Sequence, residues 1–290
     1  MILVFGATGN IGSELISILS ASGVPAIAVT RASSGAKPLP GIRWTQADLS
    51  EPDSLRGLFS GVSTVFLLTG NHPEMARLQI TAIEAAAQAH VQSVVKLSAL
   101  GASDHTKLPI GRAHYEAEAA LMASGMRWTM LRPHVFMQNL LSQAPAIARE
   151  GRIVASSGDG RIPFIDTRDI AAVAAAALTR PGLDGQKYVL TGPEALSYYD
   201  IARILSDVIR RPVEYQDRSL KDPRDLTTLA AHQRAGGKTA IVHDTVRRIL
   251  GRAPRSFLEF AKDHADIFRL GHVEQPSRSS DANDHVKSER

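Results

Sequence analysis

Along the first half of the chain, short runs rich in apolar and β-branched residues alternate with longer stretches whose apolar positions recur at helical spacing. Ile2 to Phe5, Ala26 to Thr30, Ile42 to Gln46, Thr64 to Thr69, Ser93 to Ser98 and Trp128 to Arg132 predict strands. Ile11 to Ala21, Pro52 to Phe59, Pro73 to Ala89 and Ile110 to Ala123 predict the helices between them. Strands in that rhythm specify an α/β protein with a Rossmann-type, doubly wound parallel sheet. The strand runs are nearly all apolar rather than alternating, as strands covered on both faces must be.

Local chemistry marks several boundaries. Ser50-Glu51-Pro52-Asp53 offers a hydroxyl cap, a proline in the first turn and a carboxylate near the helix start. Gly125 follows the helix ending near Ser124 and suits the left-handed position after it. Beyond Pro133 the rhythm changes. A helix over Val135 to Glu150 leads to the turn Ser157-Gly158-Asp159-Gly160, then to an Ala-rich helix from Arg168 to Leu178 and a strand from Lys187 to Leu190. A helix from Tyr199 to Ile209 is capped by Ser197, and residues 221–270 read as helical, with Phe257, Phe260, Ala261, His264 and Phe268 at core spacing. The pattern divides the chain into an α/β core over 1–134 and a smaller, mostly helical C-terminal lobe over 135–270, some of whose segments return to the core. A polar tail over 271–290 is expected to be disordered.

Composition narrows the function classes. The chain has 290 residues, with 33 Lys plus Arg against 29 Asp plus Glu. The surplus falls in residues 151–270, and no segment forms the dense basic stripe of a nucleic-acid binder, so no nucleic-acid partner is expected. Zero cysteines remove disulfides, thiolate catalysis and Cys-ligated metals. The ten histidines show no ligand spacing, so no metal is expected. Met1 runs straight into a strand, leaving no room for a signal peptide, and no apolar run is long enough to span a bilayer; a cytoplasmic protein without a membrane partner is expected.

The turn Gly6-Ala7-Thr8-Gly9-Asn10-Ile11-Gly12 lies between the first strand and the first helix. Glycines there permit a tight turn, close backbone approach to a pyrophosphate and close helix packing, while the helix N-terminus faces the anion. The spacing is G-x-x-G-x-x-G rather than G-x-G-x-x-G, but strand, turn and helix are all in place. At the end of the second strand, where an NAD site places a carboxylate for the ribose 2′-hydroxyl, the chain has Arg31. A guanidinium suits a 2′-phosphate, so NADP(H) is expected in preference to NAD(H); the competing reading is a solvated arginine at a loop start.

Together, Gly6 to Gly12, Val95-Lys96-Leu97-Ser98-Ala99-Leu100-Gly101, Leu131 to Asn139 and Tyr188 to Glu194 resemble the NmrA-like branch of the atypical short-chain dehydrogenase/reductases, over Met1 to about Leu270. The resemblance implies a cofactor in the cleft between core and lobe. It implies that Gly6, Thr8, Gly9, Asn10, Ile11 and Gly12 wrap the pyrophosphate, that Arg31 meets the adenosine ribose, and that Asp48 and Leu49 contact the adenine. Thr69, Gly70 and Asn71, with Pro133 to Phe136, would border the nicotinamide.

Ordinary members of the superfamily carry Tyr-x-x-x-Lys on the helix after the fifth strand, the lysine lowering the tyrosine pKa. Here Tyr115 is followed by Ala119, so Tyr115 can donate a proton only as a neutral phenol. His114 and Lys96 are the other candidates for proton transfer. Ser98 ends the fifth strand and reads as a hydrogen bonder on the cofactor side. Phe136, Met137 and Asn139, with Asn71, would suit a flat acceptor, although Phe136 and Met137 are equally suited to core packing. His134 reads as a packing or capping residue, and Asp166-Thr167-Arg168-Asp169 as a helix cap with flanking charges. The expected function is an NADPH-dependent reductase passing hydride to a quinone-like or other conjugated aromatic acceptor, as a monomer or homodimer. The alternative is a non-catalytic NAD(P)H-sensing regulator that binds a partner protein; an epimerase or dehydratase is disfavoured by the missing lysine.

Overall fold

A computed structural model of the chain describes residues 1–32, 38–218 and 237–271. Seven strands, β1 (Ile2–Val4), β2 (Ala26–Thr30), β3 (Ile42–Gln46), β4 (Thr64–Leu67), β5 (Ser93–Leu97), β6 (Arg127–Pro133) and β8 (Gln186–Leu190), form one parallel sheet in the order β3-β2-β1-β4-β5-β6-β8. The order reverses between β1 and β4, which opens a crevice above their carboxyl ends, the place where open α/β sheets bind ligands. The sheet is thus the doubly wound Rossmann type that the alternating pattern predicts.

Both faces are covered. On one, Val4, Ala28, Phe66, Val95 and Leu131 pack with α1 (Asn10–Ala21) and α5 (Thr167–Thr179) through Leu15, Ile16, Leu19, Ile170, Val173 and Ala174. The alanines of α5 let the two helices approach closely. On the other face, Leu3, Ile27, Val65, Val94 and Met130 meet α2 (Met75–Gln88) and α3 (Pro109–Ala123). Truncating a fully buried leucine such as Leu15 to alanine would cost about 2–5 kcal/mol. The edge strand β3 is only half-buried, because one flank has no neighbour.

The lobe has its own core, in which Met137, Ile147, Ile153, Phe164, Leu205 and Phe260 come together. Its helices are α4 (Ala144–Glu150), α6 (Tyr198–Ile209), α7 (Thr245–Leu250), α8 (Phe257–Asp263) and α9 (Ala265–Leu270), although α7 packs back on α5 and β8. It also contains a two-stranded parallel sheet of β7 (Arg152–Ala155) and β9 (Glu214–Asp217), which the sequence pattern does not reveal: RIVA is too short to signal a strand and EYQD is too polar.

Three expectations need correction. Pro52 to Phe59 is not a helix but a single 3-10 turn over Pro52–Leu55, and Ser50 does not cap it; its N–H and hydroxyl donate instead to the Asp48 carboxylate, at 2.8 and 2.7 Å. Val135 to Glu150 is not one helix. Val135 and Phe136 stay extended, because the Ile165 N–H donates to the Val135 carbonyl and the Met137 N–H to the Ile165 carbonyl; a 3-10 stretch over Met137–Gln143 follows, and α4 begins only where Pro145 suits a first turn. Of 221–270, residues 221–236 lie outside the described residues, and the rest is three short helices broken at Gly251 and His264 rather than one continuous element. Gly125 follows α3 at φ +77°, as its sequence position requires. The tail over 272–290 also lies outside the described residues.

Candidate functional site

The site grows from the turn between β1 and α1. Gly6 sits at φ +70°, and a Cβ there would fall 2.8 Å from the Leu68 carbonyl oxygen at the end of β4. At Gly12 a Cβ would lie only 2.0 Å from the Gly6 carbonyl oxygen. The turn closes through the Gly9 N–H to the Gly6 carbonyl, at 3.0 Å. Helix α1 then starts at an N-cap glycine with no side-chain cap and no acidic residue in its first turn. Its leading N–H groups and positive dipole end are left to meet an anion, and Thr8, Gly9 and Asn10 stand exposed around them. A dinucleotide pyrophosphate fits this cradle.

Arg31 follows β2 and is exposed, its carbonyl held by the Gln46 Nε2 at 3.1 Å. Asp48, after β3, lies close enough to feel its charge. The Ser50 N–H and hydroxyl, outweighing slight desolvation and aided by Arg31, hold the Asp48 carboxyl below its ordinary pKa. Arg31 and Asp48 thus face each other across the ends of β2 and β3, with Leu49 buried beside them. At the end of β4, Thr69 is half-buried while Gly70 and Asn71 are exposed. The Thr69 hydroxyl accepts from the Gln79 Nε2 at 2.8 Å; Gln79, on α2, is fully buried and its Oε1 has no partner. Sequence reading missed Gln79, although a glutamine on the buried stripe Met75, Ala82, Ile83 and Ala86 is a visible anomaly.

Under the carboxyl ends of β5 and β6 lies a buried polar network. Glu118 on α3, whose side chain is fully enclosed, accepts from the Ser98 hydroxyl at 2.5 Å and from Arg132 at 2.8 Å (Nε) and 2.5 Å (Nη2); Lys187 of β8 stands at 3.6 Å. Burial alone would raise the Glu118 pKa, but the hydrogen bonds from Arg132 and Ser98 and the charges of Arg132 and Lys96 prevail and hold it below the ordinary value. Lys96 is fully enclosed as well, with Nζ 3.2 Å from both the Leu97 carbonyl and His114 Nδ1. Burial pushes the Lys96 amine down to about 7 and the His114 imidazole down to about 3, the charge of Lys96 adding to the latter. Two of the three candidates for proton transfer, Lys96 and His114, are therefore brought together but away from solvent, and Tyr115 is the half-buried one. Glu118 and Arg132 are functional candidates that the sequence reading missed; a carboxylate on the buried face His114, Ala117, Leu121 demands a cationic partner and was the available signal.

Titration of Lys96 makes the stability of the fold depend on pH. The unfolded chain binds this proton up to about pH 10.4, whereas the folded protein releases it near 7. Between those values the unfolded state holds more protons, so stability rises with pH through this group. Relative to Lys96→Met, wild-type protein should gain about 2 kcal/mol from pH 7.5 to 9.0. Denaturant melts at the two pH values check this; parallel behaviour of the two proteins would refute it.

Past β6, Pro133 is buried, Phe136 half-buried and Asn139 exposed, whereas Met137 is in the lobe core, 1% exposed. His134 is buried; its Nδ1 accepts the Val135 N–H at 2.8 Å, so Nε2 donates to the Thr239 carbonyl at 2.8 Å, and burial pushes its pKa down to about 4. Asp166 caps α5, accepting from the Arg168 N–H and guanidinium and from Gln138. A cavity of about 350 Å³ adjoins the glycine turn, lined by Asn10, Ser13, Gln138, Thr167, Arg168 and His264 among others. Among the described residues no group of three or more acidic or histidine side chains is placed to hold a metal, and no helix is long and apolar enough to cross a membrane.

The family described as NAD(P)H-binding matches residues 6–181. The NAD(P)H azoreductase of Xenophilus azovorans is 38% identical over 287 residues, covering 92% of this chain and 99% of that protein. Quinone oxidoreductase 2 of Escherichia coli (strain K12) is 31% identical over 227 residues, 77% of this chain and 79% of that one. Among solved structures, the NADPH complex of an NADPH-dependent quinone oxidoreductase from Escherichia coli superposes with a TM-score of 0.79 at 28% identity, covering 91% and 99% of the two chains. The triphenylmethane reductase of Citrobacter sp. shares the fold, with a TM-score of 0.80 at 23% identity and coverage of 91% and 99%. By its glycine turn, its sheet order and these matches, the chain belongs to the NAD(P)H-binding family, within the NmrA-like atypical short-chain dehydrogenase/reductases.

Proposed function

We propose that this protein is an NAD(P)H-dependent oxidoreductase that takes NADPH in preference to NADH and reduces a quinone-like or other conjugated aromatic acceptor, azo compounds included, without a metal. The observation that carries the reading is the uncapped N-terminus of α1 above the Gly6 to Gly12 turn, with the Arg31 guanidinium exposed just past the end of β2. The bound dinucleotide would supply the hydride. Gly6, Thr8, Gly9, Asn10, Ile11 and Gly12 hold its pyrophosphate, Arg31 pairs with the 2′-phosphate, and Asp48 with Leu49 flanks the adenine. Thr69, Gly70, Ser98, Pro133 and Phe136 border the ring, and Asn71, Phe136 and Asn139 face the acceptor. A conjugated acceptor spreads the arriving charge over its ring system, so a hydrogen-bond donor suffices where an isolated ketone needs an activated tyrosine. Tyr115 as a neutral phenol meets that need with Ala119 in place of the lysine.

The sensing regulator is kept as a second reading on one observation: Lys96 and His114, the residues best placed to move protons, bond each other out of solvent reach. Fluorescence titration with NADPH and NADH, followed by NADPH oxidation against quinones, azo dyes and enones, separates the two. Turnover supports the reductase; tight binding with no turnover on any acceptor supports the sensor.

Arg31→Ala should weaken NADPH about 30-fold, the equivalent of about 2 kcal/mol for a charge-assisted pair. NADH should change less than about threefold, since the lost partner is the 2′-phosphate. An equal loss for both dinucleotides would refute the assignment.

A further inference from the structure

We propose that Glu118 is a positioning residue for hydride transfer, holding the ends of β5 and β6 in the relative placement that the reduced ring and its acceptor require. The inference rests on the reductase reading above and adds a residue that the dinucleotide motif does not contain. Glu118 is fully enclosed, so it acts through its neighbours rather than on a ligand.

Those neighbours come from two of the elements that border the expected ring site, the ends of β5 and β6. Ser98 is the residue at which the chain leaves β5, and its backbone N–H donates to the Leu131 carbonyl at 2.7 Å. Two residues on, the Leu100 N–H donates at 3.1 Å to the carbonyl of Pro133, the last residue of β6, so the segment after β5 stays zipped to the end of β6. Glu118 fastens this pair from below: Oε1 takes the Ser98 hydroxyl and the Arg132 Nε–H, and Oε2 takes Arg132 Nη2. Arg132 immediately precedes Pro133, where the border of the ring site begins. One carboxylate thereby indexes α3, β5 and β6, with the Lys187 amine of β8 at 3.6 Å from it.

The arrangement also decides what Ser98 can do. A serine hydroxyl has one proton, and here it goes to a carboxylate at 2.5 Å. Ser98 therefore cannot at the same time donate to an acceptor oxygen, and it serves as a fastener rather than as a proton donor. The network leaves no substitute for Glu118, because the other groups at the carboxylate are a single hydroxyl, Ser98, and the cations Arg132 and Lys187, with no second carboxylate among them.

The test uses the full-length protein and three variants: Glu118→Gln, which keeps the shape but exchanges one acceptor oxygen for a donor; Arg132→Lys, which keeps the charge but loses the fork; and Ser98→Ala, which removes one tie without orphaning a buried charge. NADPH Kd, kcat and KM for a quinone, and the isotope effect with NADPH deuterated at the transferred position are measured on each, with thermal melts confirming folding. A sub-ångström displacement at the ring should lower kcat about tenfold or more in Glu118→Gln and Arg132→Lys, and about threefold in Ser98→Ala. The isotope effect should rise as the chemical step slows, while NADPH Kd stays within about threefold because the pyrophosphate grip lies at the α1 N-terminus. Active wild type with kcat of the folded variants within twofold, or Kd worsening in parallel with kcat, would overturn the role. Should Glu118→Gln fail to fold, Arg132→Lys decides by the same criteria. Wild type that binds NADPH but turns over no acceptor would overturn the reductase reading, and this role with it.

Discussion

Gly12→Ala should abolish useful dinucleotide binding, raising the Kd for NADPH at least about 100-fold, or roughly 2.7 kcal/mol. The added Cβ would sit 2.0 Å from the Gly6 carbonyl oxygen and 2.7 Å from its carbon, both backbone atoms that no rotamer change can move aside. Either the turn opens or α1 withdraws from β1, and both displace the N–H groups that meet the pyrophosphate. Overpacking of this kind also costs about 1–3 kcal/mol of stability, so the melting temperature should fall by several degrees. Gly70→Ala is the comparison, because a Cβ there would meet no atom within 4 Å, and its melting temperature should match wild type. NADPH titration and thermal melts of the two variants check both statements. A Gly12→Ala protein that binds NADPH like wild type would show that the glycine turn does not grip the dinucleotide.

Asp169→Ala should be clearly destabilising, costing about 1–3 kcal/mol, because it leaves the Arg255 backbone N–H without its acceptor while the partly exposed Arg252 and Arg255 guanidinium groups regain water. Asp169 lies in the first turn of α5 and is fully buried. Its Oδ2 accepts the Arg255 backbone N–H at 2.6 Å, and its Oδ1 accepts from the Arg255 guanidinium at 3.0 Å and lies 2.7 Å from Arg252 Nη2. This one side chain therefore ties the helix packed on α1 to the segment that enters α8. For a chain of this size the loss corresponds to a fall in melting temperature of roughly 5 °C. Exposed pairs such as Arg56 with Asp53 offer the contrast: their removal should stay below about 1 kcal/mol. Differential scanning calorimetry of Asp169→Ala and Asp53→Ala checks the ranking, and a melting temperature within 2 °C of wild type for Asp169→Ala would refute it.

The parts of the site that were legible in sequence are those built from neighbours along the chain. A buried strand, three glycines at fixed spacing and an amphipathic helix occupy residues 2–21, so the cradle is specified locally and reads directly from its residues. The capping of α6 is similarly local: Ser197 and Asp200 exchange hydrogen bonds three residues apart. Where a prediction failed, a competing hydrogen-bond partner intervened. Val135 and Phe136 are drawn into extended pairing by Ile165, overriding a helical pattern, and the Asp48 carboxylate takes the Ser50 hydroxyl that seemed free to cap a helix.

By itself the amino-acid sequence determined the doubly wound sheet, the dinucleotide turn and the cationic group at the end of β2, because hydrophobic period, glycine spacing and residue type act over a few neighbouring positions. Tertiary structure decided the rest. It brought β8 into the main sheet beside β6, paired β7 with β9, and enclosed Lys96 with His114. It also assembled Glu118, Ser98, Arg132 and Lys187, residues up to 89 positions apart in sequence, into one network. A carboxylate in a helix has no meaning until burial removes its water and a particular guanidinium replaces it, and only the packed fold says which one.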